Sequence, residues 1–379
     1  MYAIGINAHL LSGQAGYRRA GIHHYMVQVL RHLPALTGYH YTIFTRSQNE
    51  IQSDAQRQIV SSRWPTERRL ARIVWEQTAW PLAAWQRRLD LLHGMAFATP
   101  LLSPCPTVVT IYDLSFVHYP DRFPLAQRYY LLAQTRRACR QARRVVAISA
   151  AGRQDIHQVL GVALAQIDVV LPGVDHAFQP LPPEQVAAFR RAKQLPDRFI
   201  LHVGTLQPRK NLPTLIAAFA DLIRRSPRYA NLQLVLVGGK GWLYNEIFAL
   251  VEKLELQQQV RFAGYVPDVE LPLWYNASAL LIFPSVYEGF GLPILEAMAC
   301  GTPVIAAETA VVPEVIGEAG LLFPATEAAA LVDALSRVLD QPELAAAMRH
   351  AGLIQAQNFT WEQAGRQMVA VYQQALAAK

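Results

Sequence analysis

The chain has 379 residues, 52% of them hydrophobic, which is ample for two α/β domains with full cores. No apolar run approaches the length that spans a bilayer. The net charge of +7 is uneven: residues 1–180 hold 19 basic and 10 acidic residues, whereas residues 181–379 hold 16 and 18. Every basic residue of the first part is Arg. Such a surface suits a membrane, an anionic acceptor or nucleic acid, with solvated helix faces as the plain alternative. No helix-turn-helix, zinc-ligand spacing or RNA-binding aromatic signature accompanies the arginines, which argues against nucleic acid. Cys105, Cys139 and Cys300 have no metal-ligand spacing and read as reduced, mostly buried thiols of a cytoplasmic protein. The opening MYAIGINAHLL lacks a basic leader region and reads as a first strand, not a signal peptide.

In chain order, Tyr2 to Asn7 reads as a strand. A loop with glycines follows from Gly13 to Gly21, then a helical pattern from Ile22 to Leu33. Strand, Gly-bearing loop and helix can seat a phosphate, and Arg18 and Arg19 stand nearby; a plain surface loop is the alternative. Ser62 to Arg88 carries Trp64, Trp75, Trp80 and Trp85 among six arginines. An Arg- and Trp-rich amphipathic segment can lie in a membrane interface, but Trp at helical spacing is expected in the core. His93 ends a strand from Leu89 and reads as a structural histidine.

Thr107 to Ile111 reads as a strand, with Tyr112-Asp113-Leu114 at its carboxyl end, where open α/β sheets gather ligand groups. Asp113 can meet a substrate hydroxyl or cap the turn, and both readings stand; His118 is the nearest downstream imidazole. Helices are expected from Pro124 to Gln141 and from Ala150 to Leu160, the second capped by Ser149. The proline-rich stretch from Phe178 to Pro183 reads as the linker between domains 1–178 and 179–360.

The second domain opens with a strand from Phe199 to Val203, then Gly204 and the loop Pro208-Arg209-Lys210-Asn211. Asn211 is expected to cap the helix from Leu212 to Arg224. Arg209 and Lys210 then lie at a strand's carboxyl end beside a helix N-terminus, suited to phosphate. Leu232 to Val237 and Val260 to Ala263 read as further strands, the latter followed by Gly264-Tyr265-Val266-Pro267. After a strand from Leu280 to Phe283 comes SVYEGFGLPILEAMACGTPVIA, from Ser285 to Ala306. Glu288 and Glu296 stand with seven residues between them. Pro293 marks a helix start, and Gly301 with Pro303 marks its end. Glu288 precedes the helix and Glu296 sits about one turn inside it. Outward-pointing N–H groups and the helix dipole make an anion seat there, and two carboxylates beside it can grip sugar hydroxyls.

The stretch from Ser285 to Ala306, with HVGTLQPRKNLPTLIAAF from His202 to Phe219, resembles glycosyltransferase family 4, and the order of segments does so through nearly the whole chain. The resemblance implies the GT-B arrangement: α/β, with two Rossmann-like doubly wound parallel-sheet domains facing across a cleft. It implies that the last helix, 361–379, packs back on the first domain. It implies a retaining hexosyltransferase that uses a nucleoside diphosphate sugar and a glycan or lipid-linked acceptor. With no dedicated metal-ligand spacing, and with Arg209, Lys210 and the helix end to meet the phosphates, metal independence is expected; the basic first domain makes a peripheral contact at the inner face of a membrane an expectation. The donor-binding positions that match are Gly21, Gly204, Arg209, Lys210, Val266, Glu288, Phe290, Gly291, Leu292 and Glu296. Glu288 and Asp113 are the catalytic candidates. Tyr112 stands where many relatives carry His before that Asp, which removes any role resting on the histidine. GDP-mannose is the first donor to expect, because the pattern is similar to bacterial mannosyltransferases of surface polysaccharide synthesis. The alternatives are a nucleotide-sugar epimerase of similar shape and a non-catalytic two-domain sugar binder.

Overall fold

The computed structural model describes residues 1–11, 21–46, 50–62, 64–120, 123–241 and 244–377. Arg18 and Arg19 lie outside them. The chain folds as two units, Met1–Gly173 with Thr360–Lys379, and Val174–Phe359.

The first unit holds β1 (Tyr2–Asn7), β2 (Tyr39–Thr45), β3 (Arg57–Ser61), β4 (Leu91–Gly94), β5 (Thr107–Ile111), β6 (Arg144–Ala147) and β7 (Ile167–Val169). They form one sheet in the order β3-β2-β1-β4-β5-β6-β7, parallel at every pairing. Parallel strands covered on both faces read as apolar runs, and Ile4, Ile6, Val108 and Val109 are fully buried. The strand order reverses between β1 and β4, where Asn7 pairs with Gly94. The helix Trp361–Ala377 belongs to this unit. Its Tyr372 hydroxyl meets Nδ1 of the fully buried His93 at 2.8 Å, and Thr110 meets Nε2 at 2.8 Å, so His93 is a satisfied core residue. Gly365 lets this helix approach His32: a Cβ there would lie 1.9 Å from the His32 carbonyl oxygen.

The second unit holds β8 (Phe199–Val203), β9 (Gln233–Val237), β10 (Val260–Gly264), β11 (Leu280–Phe283), β12 (Val304–Ala307) and β13 (Leu321–Phe323). Their order is β10-β9-β8-β11-β12-β13, again all parallel, with the reversal between β8 and β11. The helices Leu212–Arg225 and Ala328–Asp340 cover one face through Leu215, Phe219, Leu331 and Leu335, all fully buried.

Several expectations change. The boundary falls at 173/174 and not at 178/179. Phe178 packs edge-on against Tyr275, and the Leu181 N–H donates to Asn276 Oδ1 at 2.9 Å, so the proline-rich stretch is part of the second unit. β2 and β3 were not anticipated. The four tryptophans divide: Trp75 and Trp80 stack in the core, whereas Trp64 and Trp85 are 40% and 69% exposed. Ser149 caps its helix by accepting from the Gly152 N–H at 2.9 Å. Asn211 does not cap the helix Leu212–Arg225. It adopts φ 52°, and its side chain bonds the Ala325 carbonyl and the Thr214 hydroxyl instead.

Candidate functional site

Of the residues the sequence singles out, the structure brings three into one constellation at the reversal point of the second sheet. Arg209 and Lys210 follow β8 on a short turn, Pro208–Lys210. Glu288 follows β11. The Val286 N–H donates to the Arg209 carbonyl at 3.0 Å, which ties the two loops together. Lys210 Nζ then lies 2.6 Å from Glu288 Oε1, and Arg209 Nη1 lies 2.9 Å from Oε2. The Glu288 and Lys210 side chains keep 9% and 8% of their exposure. Burial pushes the Glu288 carboxyl upward, but Lys210 and Arg209 together outweigh it and hold the carboxyl below its usual value. Burial in turn lowers the Lys210 ammonium, against the pull of Glu288. The constellation is two cations sharing one carboxylate, with a net positive charge.

Glycine makes the space beside it. A Cβ on Gly204 would lie 3.1 Å from Lys210 Cε and 3.2 Å from His202 Nε2. A Cβ on Gly238 would lie 2.0 Å from the Gly204 carbonyl oxygen, so the loops after β8 and β9 can nest only without side chains there. His202 is fully buried and donates through Nδ1 to the Ile282 carbonyl at 3.1 Å. Burial and the Lys210 cation hold its pKa down to about 3, so it stays neutral.

Gly291, at φ 111°, starts the helix Leu292–Ala299, with Pro293 in its first turn. The Phe290 side chain is core, 3% exposed and edge-on to Phe359. At Phe290 only the backbone is therefore a candidate for ligand contact, beside Gly291 and the half-buried Leu292. Glu296 Oε2 accepts from the Tyr275 hydroxyl at 2.7 Å. Sequence reasoning missed Tyr275, because the pairing joins two helices through the fold and leaves no local signature. Val266 is buried in the loop after β10, beside the half-exposed Tyr265.

The other two candidates belong to the first unit. Gly21 precedes the helix Ile22–Arg31 at φ 58°, with open space where a Cβ would stand. Asp113 Oδ1 accepts from the Ser115 N–H at 2.9 Å, the turn-capping geometry. Tyr112 is 4% exposed and packs edge-on against Tyr25, so it is a core residue. Among the described residues, no group of three or more His, Cys, Asp or Glu side chains could hold a metal ion. No described helix is long and apolar enough to cross a membrane.

Comparison with known proteins bears on the family and the fold. The family model described as Glycosyltransferase Family 4 matches residues 19–178, and that described as Glycosyl transferases group 1 matches residues 185–355. O-antigen chain mannosyltransferase B of Escherichia coli is 31% identical over 296 residues, covering 78% of this chain and 76% of that protein. D-inositol 3-phosphate glycosyltransferase of Frankia alni is 34% identical over 242 residues, covering 62% and 59%. The solved structure of sucrose-phosphate synthase from Thermosynechococcus elongatus superposes with a TM-score of 0.79 at 26% identity over the whole of both chains. Neither the epimerase nor the non-catalytic binder finds support among these relatives. The chain is a glycosyltransferase of GT-B fold and belongs to glycosyltransferase family 4.

Proposed function

We propose that this glycosyltransferase moves a hexose from a nucleoside diphosphate donor to a hydroxyl of a glycan or lipid-linked acceptor, with retention at the anomeric carbon. The observation that carries the reading is the sharing of Glu288 between Arg209 and Lys210. The two cations are poised at a sheet's carboxyl end, the place for a diphosphate. When the diphosphate enters, it competes for both cations. Their positive charge then opposes the negative charge that grows on the leaving nucleoside diphosphate. The N–H groups around Gly291 and Leu292 add to this anion seat. The freed Glu288 carboxylate grips donor-sugar hydroxyls and stabilises positive charge at the anomeric centre. Glu296, steadied by Tyr275, holds the nucleotide ribose. Asp113 meets the acceptor hydroxyl through the carboxylate oxygen that the turn leaves unused. In this reading the cations and the helix end take the place of a metal.

Mannose is the first sugar to test, supported by the similarity to O-antigen chain mannosyltransferase B. The deciding experiment is a panel of GDP- and UDP-sugars assayed for nucleoside diphosphate release. GDP-mannose should give the fastest release, and no release from any donor would refute the reading.

A peripheral membrane contact at the inner face fits the exposed apolar residues of the first unit. Leu70 and Val74 share one face of the helix Arg69–Gln77, and Leu82 and Trp85 share one face of the helix Ala79–Gln86. Arg68, Arg87 and Arg88 are exposed around them. Apolar residues ringed by arginines match an anionic lipid surface.

A further inference from the structure

We propose that a cavity at the amino ends of β11 and β12 binds an amphipathic anion, an aliphatic chain with a carboxylate or phosphate head, and that its filling alters donor affinity. The cavity has a volume of about 490 Å³ and lies wholly within the second unit. Ligand cavities commonly measure about 300–1,000 Å³ and combine apolar walls with a few polar groups. Ser278 lines this one just before β11 begins, and Thr302 lines it just before β12 begins. Arg209, Lys210 and Glu288 follow the carboxyl ends of β8 and β11, at the opposite end of the same sheet. The cavity is therefore separate from the constellation described above.

Its walls are apolar and its charge is of one sign. Leu181 comes from the proline-rich stretch, Val186 from the helix Pro183–Ala192 and Leu353 from the helix Pro342–Ala356. Among the described residues, two arginines and no acidic side chain line the cavity. Arg190 donates to the Ala277 and Asp197 carbonyls, which fixes its guanidinium and covers the carbonyl that ends the helix Leu271–Ala277. Arg349 is exposed and has no hydrogen bond or ion pair among the described residues. Its planar fork of donors fits a carboxylate or a phosphate. An uncharged apolar ligand would leave Arg349 idle, and a bare anion would leave the walls uncovered. An amphipathic anion engages both.

Tyr275 joins this cavity to the donor seat. The Ser278 and Thr302 hydroxyls both donate to the Tyr275 carbonyl, at 2.9 and 2.8 Å, and the Tyr275 hydroxyl donates to Glu296 Oε2 at 2.7 Å. The helix Leu292–Ala299 also spans the distance: it starts at Gly291 and ends at Cys300 and Gly301, which line the cavity. Tyr275 is fully buried, and a close-packed interior passes a displacement on to its neighbours. A chain that shifts Ser278 or Thr302 therefore shifts Tyr275, and with it Glu296.

The effector role rests on the reading of Glu296 as a nucleotide ligand; the site itself does not. The test uses the full chain, with octanoate, octyl phosphate and 1-octanol as probes below their micelle concentrations, titrated by saturation-transfer NMR. Octanoate or octyl phosphate should bind the wild type about tenfold or more tighter than 1-octanol, the scale of a charge-assisted contact, and the tighter of the two names the head group. Arg349→Glu should remove that preference, and Ala187→Trp should weaken both anions about tenfold or more by filling the cavity from an exposed lining position. Without probe, neither variant should change GDP or UDP affinity. Saturating probe should shift that affinity about fivefold or more in the wild type and leave it unmoved in Ala187→Trp. No amphiphile bound by the wild type, or binding that both variants preserve, overturns the site. Equal binding of 1-octanol overturns the anionic head. Nucleotide affinity unmoved by bound probe overturns the effector role. A wild type that binds probe but no nucleotide strikes the donor reading, and the effector role with it, while the site stands.

Discussion

Lys210 Nζ sits 2.6 Å from Glu288 Oε1 across 78 residues of sequence, and Arg209 holds the other carboxylate oxygen. The charge proposed for the leaving diphosphate and the charge proposed for the sugar are thus bound to each other before any donor arrives. A buried carboxylate with two cations is stable only as a set, because removal of one partner strands the rest. The same pairing gives the first test. Arg209→Ala and Lys210→Ala should each cost about 1.5–3 kcal/mol of nucleoside diphosphate affinity, the scale of a contact to a charged group. Calorimetric titration of GDP and UDP reads this directly. Affinity unchanged in both variants would remove the pair from the donor site.

Chelation separates electrostatics supplied by side chains from electrostatics supplied by a metal. If Arg209, Lys210 and the helix N-terminus near Gly291 neutralise the phosphates, turnover should persist in EDTA. Loss of turnover that Mg²⁺ or Mn²⁺ restores would show that a metal site exists.

Two carboxyls displaced in opposite directions should mark the stability curve. Glu76 is raised from 4.5 to about 7, first by burial and against the opposing effects of Arg72 and Asn7. Tyr130 also faces it, from the helix Leu125–Gln141. A raised acid favours the folded state below its unfolded pKa, and that contribution is lost as pH rises through the folded value. The loss amounts to about 3 kcal/mol across that interval. Glu288, held low, contributes stability above the ordinary carboxylate pKa, and this is lost as pH falls through its folded value. Melting curves of Glu76→Gln between pH ~5 and ~8 should be flatter than those of the wild type. A slope identical to the wild type would contradict the burial of an ionisable group there.

The membrane reading makes a separate demand. Leu70→Glu with Trp85→Glu places two carboxylates among the exposed apolar residues of the helices Arg69–Gln77 and Ala79–Gln86. Co-sedimentation with phosphatidylglycerol-containing vesicles should be seen for the wild type, weaken as salt rises, and fall sharply in the double variant. Turnover of the donor in solution should not change. Equal sedimentation of both proteins would assign those residues to a plain surface.

Local signals carried the second unit well. β8 runs from Phe199 to Val203 as its apolar run predicted, and Gly291 and Pro293 mark a helix start through backbone preferences that need no partner. Pairings made by the fold left no such trace. Tyr275 with Glu296, and Asn7 with Glu76, join segments 21 and 69 residues apart. The Asn211 cap failed for a different reason: its Oδ1, the atom that would cap, accepts from the nearby Thr214 hydroxyl, while its amide donates to the Ala325 carbonyl. Trp85 and Trp80 differ in burial because the short helix Ala79–Gln86 shows only one side to the sheet, which spacing alone does not specify.

The two glutamates of the same helix region should fail differently. Glu288 precedes the helix Leu292–Ala299 and is held by Arg209 and Lys210; in the proposed reading its carboxylate is released only when donor is bound. Its interaction then belongs to the transition state and appears in turnover. Glu296 lies within the helix and is fixed from behind by Tyr275, whose own carbonyl accepts from the Ser278 and Thr302 hydroxyls. A carboxylate so fixed serves the ground state and the transition state alike, and its loss appears in donor affinity. Gln preserves shape and removes charge. Glu288→Gln should therefore lower kcat at saturating donor with a smaller change in nucleotide affinity. Glu296→Gln, and Tyr275→Phe more weakly, should raise the KM for donor with kcat largely kept. Folding of each variant is checked first by melting temperature, because Glu288→Gln leaves Lys210 and Arg209 facing an uncharged amide. Normal turnover by a folded Glu288→Gln enzyme would mean that the carboxylate only anchors the two cations, and that the sugar is held by other groups.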